Sequence, residues 1–479
     1  MQLYDRLYGK MNFPDIITSL LDCPALLRLR DVRMANNQFM AFPAFANTSR
    51  YEHSLGVCFL AGICAKSLNL SEKDTIELMM ASLYHDVGTP PFAHAMEEVL
   101  QAEYGFDHEN NLRHLVEGTN ESYIRALEQI YMDGAIKLHS VCQTKEGRRL
   151  KLDVYRIAKI IVGDKSEPLS FLLNGEGMDL DNIDNIVRAS TAMGIMDSKD
   201  CDLAKRLASS FIQEEDGTIC HNALFMQDIK RWQQIRDDQY TAIFDSVEDF
   251  AYQTMIKKAL RLLICDKSSD YRLNADSWKH TDSSILYECL LKNQYSAPIM
   301  KNVLLGKPFR CLGVLYVEGK NVVSYINTHI PEIEKVASSY YSDLMGIEDN
   351  DEEMDNTRLS SVVANFYPDK RKRSIKSRAM LMGKPMPIDN EEVRVSQGAL
   401  LGLFTPIMSN KYVSITLENG KKGRKLASYS TENLEELIQV LHENVLCQYE
   451  VTIYGKRNNK QECEETSGNQ LELFGFYEC

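Results

Sequence analysis

The chain has 479 residues, 44% of them hydrophobic and 25% charged, with a formal net charge of −14 at pH 7. That length predicts two or three structural units. The acidic balance argues against a protein built to grip a phosphate backbone, which needs clustered Lys and Arg, so nucleic-acid binding is not expected.

No run approaches the roughly 20 apolar residues that cross a bilayer. The first residues, Met1-Gln2-Leu3-Tyr4-Asp5, lack the basic-then-apolar pattern of a secretory leader. Twelve cysteines are scattered with no CxxC pair, which points away from a disulfide framework or a zinc ribbon and toward a reducing, cytoplasmic setting.

The first two thirds of the chain read as mostly helical. Ser71 with Asp74 makes a helix start, and Ile76, Met79, Met80 and Leu83 then share one face. That helix must end at Tyr84-His85-Asp86-Val87-Gly88, because Gly88 and Pro90-Pro91 follow. Further helical patterns run from Asp228 to Arg236 and from Phe250 to Ile264.

Near residue 345 the composition shifts. Ile347 to Glu353 is an acidic, weakly apolar run that reads as an exposed loop. The basic cluster Lys370-Arg371-Lys372-Arg373 follows, continued by Lys376 and Arg378; it fits either a solvated loop or a site for a nucleotide or partner. Tyr412 to Leu417 alternates like a strand, Glu418-Asn419-Gly420-Lys421 reads as a turn, Leu434 to Val445 as a helix, and Tyr449 to Tyr454 as another strand. The predicted organisation is a helical domain over 1–345, a charged linker over 346–395, and a small α+β unit over 396–479.

Five of the ten histidines, His53, His85, His94, His108 and His114, fall between residues 53 and 114. Imidazole is both a metal ligand and an acid or base near neutral pH, so the clustering points to chemistry. The adjacent His85-Asp86 sits at a helix end, where both side chains can reach one ion. Mixed nitrogen and oxygen donors suit Mn, Mg, Fe, Zn or Ni over a thiolate-seeking metal. A divalent ion held with positions left open can activate water and polarise phosphorus.

Arg50-Tyr51-Glu52-His53-Ser54-Leu55-Gly56-Val57 and His85-Asp86-Val87-Gly88-Thr89-Pro90-Pro91-Phe92-Ala93-His94 resemble the first two signature segments of the HD phosphohydrolase superfamily. More narrowly they resemble its dNTP triphosphohydrolase branch, as do Leu27-Arg28-Leu29-Arg30 and Phe42-Pro43 upstream. The third family segment is matched by Met178-Asp179-Leu180-Asp181-Asn182-Ile183-Asp184, with Asp181 at the ligand position and Asp179 or Asp184 as the alternatives in another register. Lys279 to Leu286 is similar to a later family helix start, and the likeness runs clearly to about residue 290 and thinly beyond.

The resemblance implies a mainly α fold, an HD-domain helical core with a smaller C-terminal α+β unit. It implies metal ligands His53, His85, Asp86 and Asp181; proton-transfer groups His94, Glu97 and His108; phosphate-binding Arg50 and Arg236; and Phe244 where the family packs a tyrosine on the sugar. It also implies a nucleotide substrate, an allosteric nucleotide at subunit interfaces, and a homo-oligomer such as a tetramer, serving nucleotide-pool control or defence against phage. An imidazole oriented by a carboxylate makes a good general acid, and guanidinium groups suit paired phosphate oxygens.

Several substrate positions depart from the family. Asn182 stands where a phosphate-binding lysine is usual and Asn185 where a tyrosine is usual. Met34 and Ala189 replace a glutamine and an aspartate that hold the sugar 3′-hydroxyl, and Thr89 replaces a histidine near the leaving oxygen. Hydrolysis of a dNTP to deoxynucleoside and triphosphate is the leading expectation. The alternatives are hydrolysis of another nucleotide or signalling phosphoester, and a nucleotide-sensing protein with an altered pocket.

Overall fold

Ser49 starts the first long helix, α1 (Arg50–Ser67): its hydroxyl accepts from the Glu52 N–H while the Glu52 carboxylate accepts from the Ser49 N–H. This computed structural model describes residues 2–35, 42–107, 111–112, 116, 138–175, 178–200, 202–214, 217–244, 246–266, 270–271, 273–318, 322–345, 360–368, 398–406 and 439–446, with short strand segments at 380–381, 384–385, 415–416, 419–420, 423–424, 428–429 and 452–454. His108, His114, the acidic run from 347 and the basic cluster 370–378 lie outside the described residues.

The second helix, α2 (Glu72–Tyr84), begins at the Ser71 cap and stops at His85, as the sequence predicts. Ile76, Met79, Met80 and Leu83 are buried, and α2 packs along α1. A turn then carries the chain into α3 (His94–Tyr104) through two left-handed residues, Phe92 at φ 55° and Ala93 at φ 46°. That costly conformation is held from outside: the Phe92 N–H donates to Asp282 Oδ1 at 2.7 Å. Arg28 secures the preceding turn, donating to the carbonyls of Val87 at 3.0 Å and Thr89 at 2.7 Å.

Helix α4 (Leu180–Ala192) starts at Asp179, whose carboxylate accepts from the Asn182 N–H, and packs against α1. The helical patterns read at 228–236 and 250–264 form α5 (Met226–Phe244) and α6 (Val247–Cys265), each longer than its apolar pattern. One core gathers around α1, α2 and α4; a second gathers around α3 and α6. Two short strands, β1 (Gln2–Asp5) and β2 (Gly9–Asn12), form an antiparallel hairpin whose Leu3 and Met11 join the first core.

The later part of the chain builds a four-stranded antiparallel sheet. Its strands are β3 (Arg310–Glu318), β4 (Val363–Pro368), β5 (Gly398–Thr405) and β6 (Thr452–Tyr454), in the order β6-β3-β5-β4. Helix α7 (Val322–Met345) covers one face through Ile326, Ile330 and Ile333. The sheet therefore draws its second strand in spatial order, and the helix covering it, from upstream of the composition change at residue 345. Asn419–Gly420, expected as a turn, pair with Gly423–Arg424 as hairpin rungs. Among the described residues, no helix is long and apolar enough to cross a membrane.

Candidate metal centre

His53 lies in the first turn of α1, His85 one residue past the end of α2, and Asp181 in the first turn of α4. Packing of α1 against both other helices brings the three together. His53 Nε2 stands 2.8 Å from Asp181 Oδ1 and 3.2 Å from His85 Nε2, and His85 Nε2 is 3.6 Å from Asp181 Oδ1. Asp86 Oδ2 lies beside the two imidazoles, 3.8 Å from His53 Nε2 and 3.6 Å from His85 Nε2. Donors bound to one ion at about 2.1 Å are about 3.0 Å apart in an octahedron and about 3.4 Å apart in a tetrahedron, so these separations suit a shared cation.

The surrounding hydrogen bonds orient the candidate donor atoms. His53 Nδ1 donates to Asp184 Oδ2 at 2.7 Å and His85 Nδ1 to the Ser82 carbonyl at 2.8 Å, which turns each Nε2 lone pair inward. Asp86 Oδ1 accepts from Arg50 Nη1 at 2.6 Å and from the Thr89 hydroxyl at 3.1 Å, whereas the buried Asp86 Oδ2 has no hydrogen-bond partner among the described residues. An orphaned, desolvated carboxylate oxygen facing two imidazoles is costly unless a cation meets it, so the donor set fits a divalent ion. Asp181 is the most exposed of the four, its side chain about a third open, and marks the solvent side.

The charges agree. Burial alone would push the His53 imidazole down, but its bonds to Asp181 and Asp184 outweigh this and push it up to about 10. Burial would raise Asp86, yet Arg50 and the two histidines hold it at about 2. Asp181 is likewise held well below the usual carboxylate range by His53 and His85 against its burial. A proton on the imidazole and a cation therefore compete for the same place.

Asp184, an alternative ligand by sequence, stands on the far side of His53 from the ligand cluster. Arg188 holds it with Nε at 2.8 Å and Nη2 at 3.0 Å, and the Tyr8 hydroxyl donates to it at 2.5 Å. Asp179, the other alternative, caps α4 and accepts from Asn182 Nδ2 with both oxygens at 3.0 Å. Gly56 permits this packing: a Cβ there would lie 2.1 Å from Asp184 Oδ1 and 2.4 Å from Arg188 Nη2. Sequence reading had a usable signal here, since Asp181, Asp184 and Arg188 recur at helical spacing, but nothing local ties them to Tyr8 or Gly56.

The remaining candidate residues are placed less completely. His94 opens α3, exposed, with Nδ1 3.1 Å from Glu97 Oε2. Arg236 on α5 is buried, its guanidinium 4.7 Å from the Tyr240 ring centre. His108 and the Phe244 side chain lie outside the described residues. Ala189 is fully buried in a small apolar cluster with Ala35, Phe45 and Ile243.

Residues 50–152 match the family model described as HD domain. Among curated proteins the chain is 25% identical over 272 residues to the deoxynucleoside triphosphate triphosphohydrolase SAMHD1 homolog of Dictyostelium discoideum, covering 55% of this chain and 48% of the relative. It is 29% identical over 157 residues to deoxynucleoside triphosphate triphosphohydrolase SAMHD1 of Homo sapiens, covering 30% of this chain and 24% of that one. An uncharacterized protein of Methanocaldococcus jannaschii is 27% identical over 274 residues, 56% of this chain and 51% of the relative. The matches thus span about half, or less, of these relatives' length. A solved structure of a hypothetical protein from Aquifex aeolicus superposes with a TM-score of 0.57 at 17% identity, covering 85% of this chain and 96% of that one, which shows a shared fold. The resemblance read from the His53 and His85-Asp86 segments is shown by these matches, and so is the mainly α fold.

Proposed function

We propose that this chain is a divalent-metal-dependent HD phosphohydrolase that splits a deoxynucleoside triphosphate into deoxynucleoside and inorganic triphosphate. The observation that carries the reading is the convergence of His53, His85 and Asp181, with the buried Asp86 Oδ2 beside both imidazoles and without a hydrogen-bond partner among the described residues. A bound divalent ion supplies an acidified water and a polarising charge at a phosphate oxygen. Arg50, already turned toward Asp86, and Arg236, buried on α5, are the proposed planar donors for phosphate oxygens. By the same resemblance, His94, paired with Glu97, and His108 are the proposed proton-transfer groups. The named dNTP triphosphohydrolases among the relatives support the substrate class. The same resemblance carries the homo-oligomer and its interfacial nucleotide as part of this proposal.

A second reading, hydrolysis of another nucleotide or signalling phosphoester, is favoured by two observations. Asn182 is folded back onto Asp179, and Ala189 sits among apolar side chains, at positions where the resemblance implies phosphate and 3′-hydroxyl contacts. Buried hydrogen bonds to a hydroxyl dominate such discrimination, so their loss shifts the preferred substrate more than the chemistry. The test is product chromatography of each nucleotide with Mn or Mg, the dNTPs also present as activators, alongside elemental analysis of wild type and His85→Ala. Triphosphate released from a dNTP, with metal lost in His85→Ala, is the expected result. Bound metal with hydrolysis of another phosphoester would favour the second reading, and no metal in either protein would overturn both.

A further inference from the structure

The β1–β2 hairpin reaches two of the helices that carry the metal ligands, at the layer behind those ligands. Asp5 Oδ1 accepts from the N–H groups of Leu7 at 2.8 Å and Tyr8 at 2.9 Å, which shapes the turn. Its other oxygen accepts from Arg188 Nη1 at 2.9 Å. Tyr8 donates to Asp184 at 2.5 Å, and its ring lies 5.5 Å from the Arg188 guanidinium. Between these two, Arg6 extends to the foot of α1, donating to the Thr48 hydroxyl at 2.5 Å and standing 4.0 Å from Glu52 of the capping box. One tight turn thus grips the start of α1, which bears His53, and the middle of α4, which bears Asp181.

Stability alone does not explain this chemistry. Leu3, Met11 and Phe13 already seat the hairpin in the first core. Buried ion pairs rarely add stability over well-packed apolar side chains, because desolvation offsets their attraction. Yet the Asp5, Arg188 and Asp184 side chains are all almost wholly buried and spend their bonds on one another, on the hairpin turn at Leu7 and Tyr8, and on His53. Such a chain has one functional end, the His53 Nδ1 proton, and fixing that proton fixes the ring orientation and the basicity of Nε2.

We propose that the hairpin Gln2–Asn12 is a clamp on the metal centre, with Tyr8 and Asp5 as positioning residues that act through Asp184 and Arg188 on His53. The inference rests on the reading of His53, His85, Asp86 and Asp181 as a metal site. Neither Tyr8 nor Asp5 touches metal or substrate; they set how tightly and in what geometry the ion is held.

The test uses the full chain with Tyr8→Phe, Asp5→Asn and, as a control in the same hairpin, Met11→Ala. Mn2+ affinity is measured against a competing chelator, the absorption spectrum is recorded with Co2+ bound, and the thermal midpoint is taken without metal. Tyr8→Phe and Asp5→Asn should each bind Mn2+ roughly 10-fold more weakly and alter the Co2+ spectrum, while Met11→Ala lowers the midpoint and keeps the affinity within about twofold. Wild-type affinity and an unchanged Co2+ spectrum in both Tyr8→Phe and Asp5→Asn, whatever their midpoints, would overturn the clamp. A wild type that takes up neither Mn2+ nor Co2+ would overturn the metal centre itself and the clamp with it.

Discussion

Replacing Gly56 by alanine tests how closely α1 and α4 are fitted at the metal centre. In an ordinary helix the change favours folding by about 1 kcal/mol, because alanine has the higher propensity. Here the added Cβ would fall 2.1 Å from Asp184 Oδ1, 2.4 Å from Arg188 Nη2 and 2.9 Å from Asp184 Cγ. Neither neighbour is the free end of a flexible chain: Asp184 is bound by His53, Tyr8 and Arg188, and Arg188 also by Asp5. Overpacking of this kind costs about 1–3 kcal/mol, and separating the buried Asp184–Arg188 pair would cost roughly 3–5 kcal/mol. Taking separation of the pair as the governing cost and subtracting the propensity gain of about 1 kcal/mol, the expected net loss is about 2–4 kcal/mol. Because Asp184 must move, the His53 Nδ1 bond lengthens as well, so Mn2+ affinity falls together with stability. Urea unfolding of the metal-free protein and a Mn2+ titration read the two effects. A Gly56→Ala protein as stable as wild type, with wild-type Mn2+ affinity, would refute the packing argument.

Asp184→Asn keeps the shape but removes the charge that His53 Nδ1 and Arg188 share, so metal affinity should fall roughly 10–100-fold by competition titration. Unchanged affinity would mean that Asp184 does not orient the ligand. His221, buried against the Ser210 hydroxyl and the Met178 carbonyl, is held down at about 4 by its burial. Between pH 4 and 6.5 the unfolded chain then binds more protons than the folded one, so stability rises with pH in that window. The contribution is fully present above pH 6.5 and is lost as pH falls toward 4, about 3 kcal/mol in all. His221→Gln should flatten that part of the stability profile, and an equally steep profile in the variant would remove His221 as its cause.

Local features were legible from neighbouring residues. The Ser71 start of α2, its stop at His85 and the pairing of His85 with Asp86 involve residues within a few positions of one another, where capping and chain-breaking rules act directly. The signature segments pointed to His53, His85, Asp86 and Asp181 as candidates, and the structure brings His53 within 2.8–3.8 Å of the other three. The sheet was less legible, because β3 pairs with β5 across 80 or more positions. The surroundings of the candidate metal centre came only from packing between distant segments. Asp184 meets His53 across 131 positions and Tyr8 meets Asp184 across 176, and no spacing rule reaches that far. Gly56 reads as an ordinary weak point in a helix until α4 is laid against it. Its meaning comes from the two side chains that fill the place where its own would be.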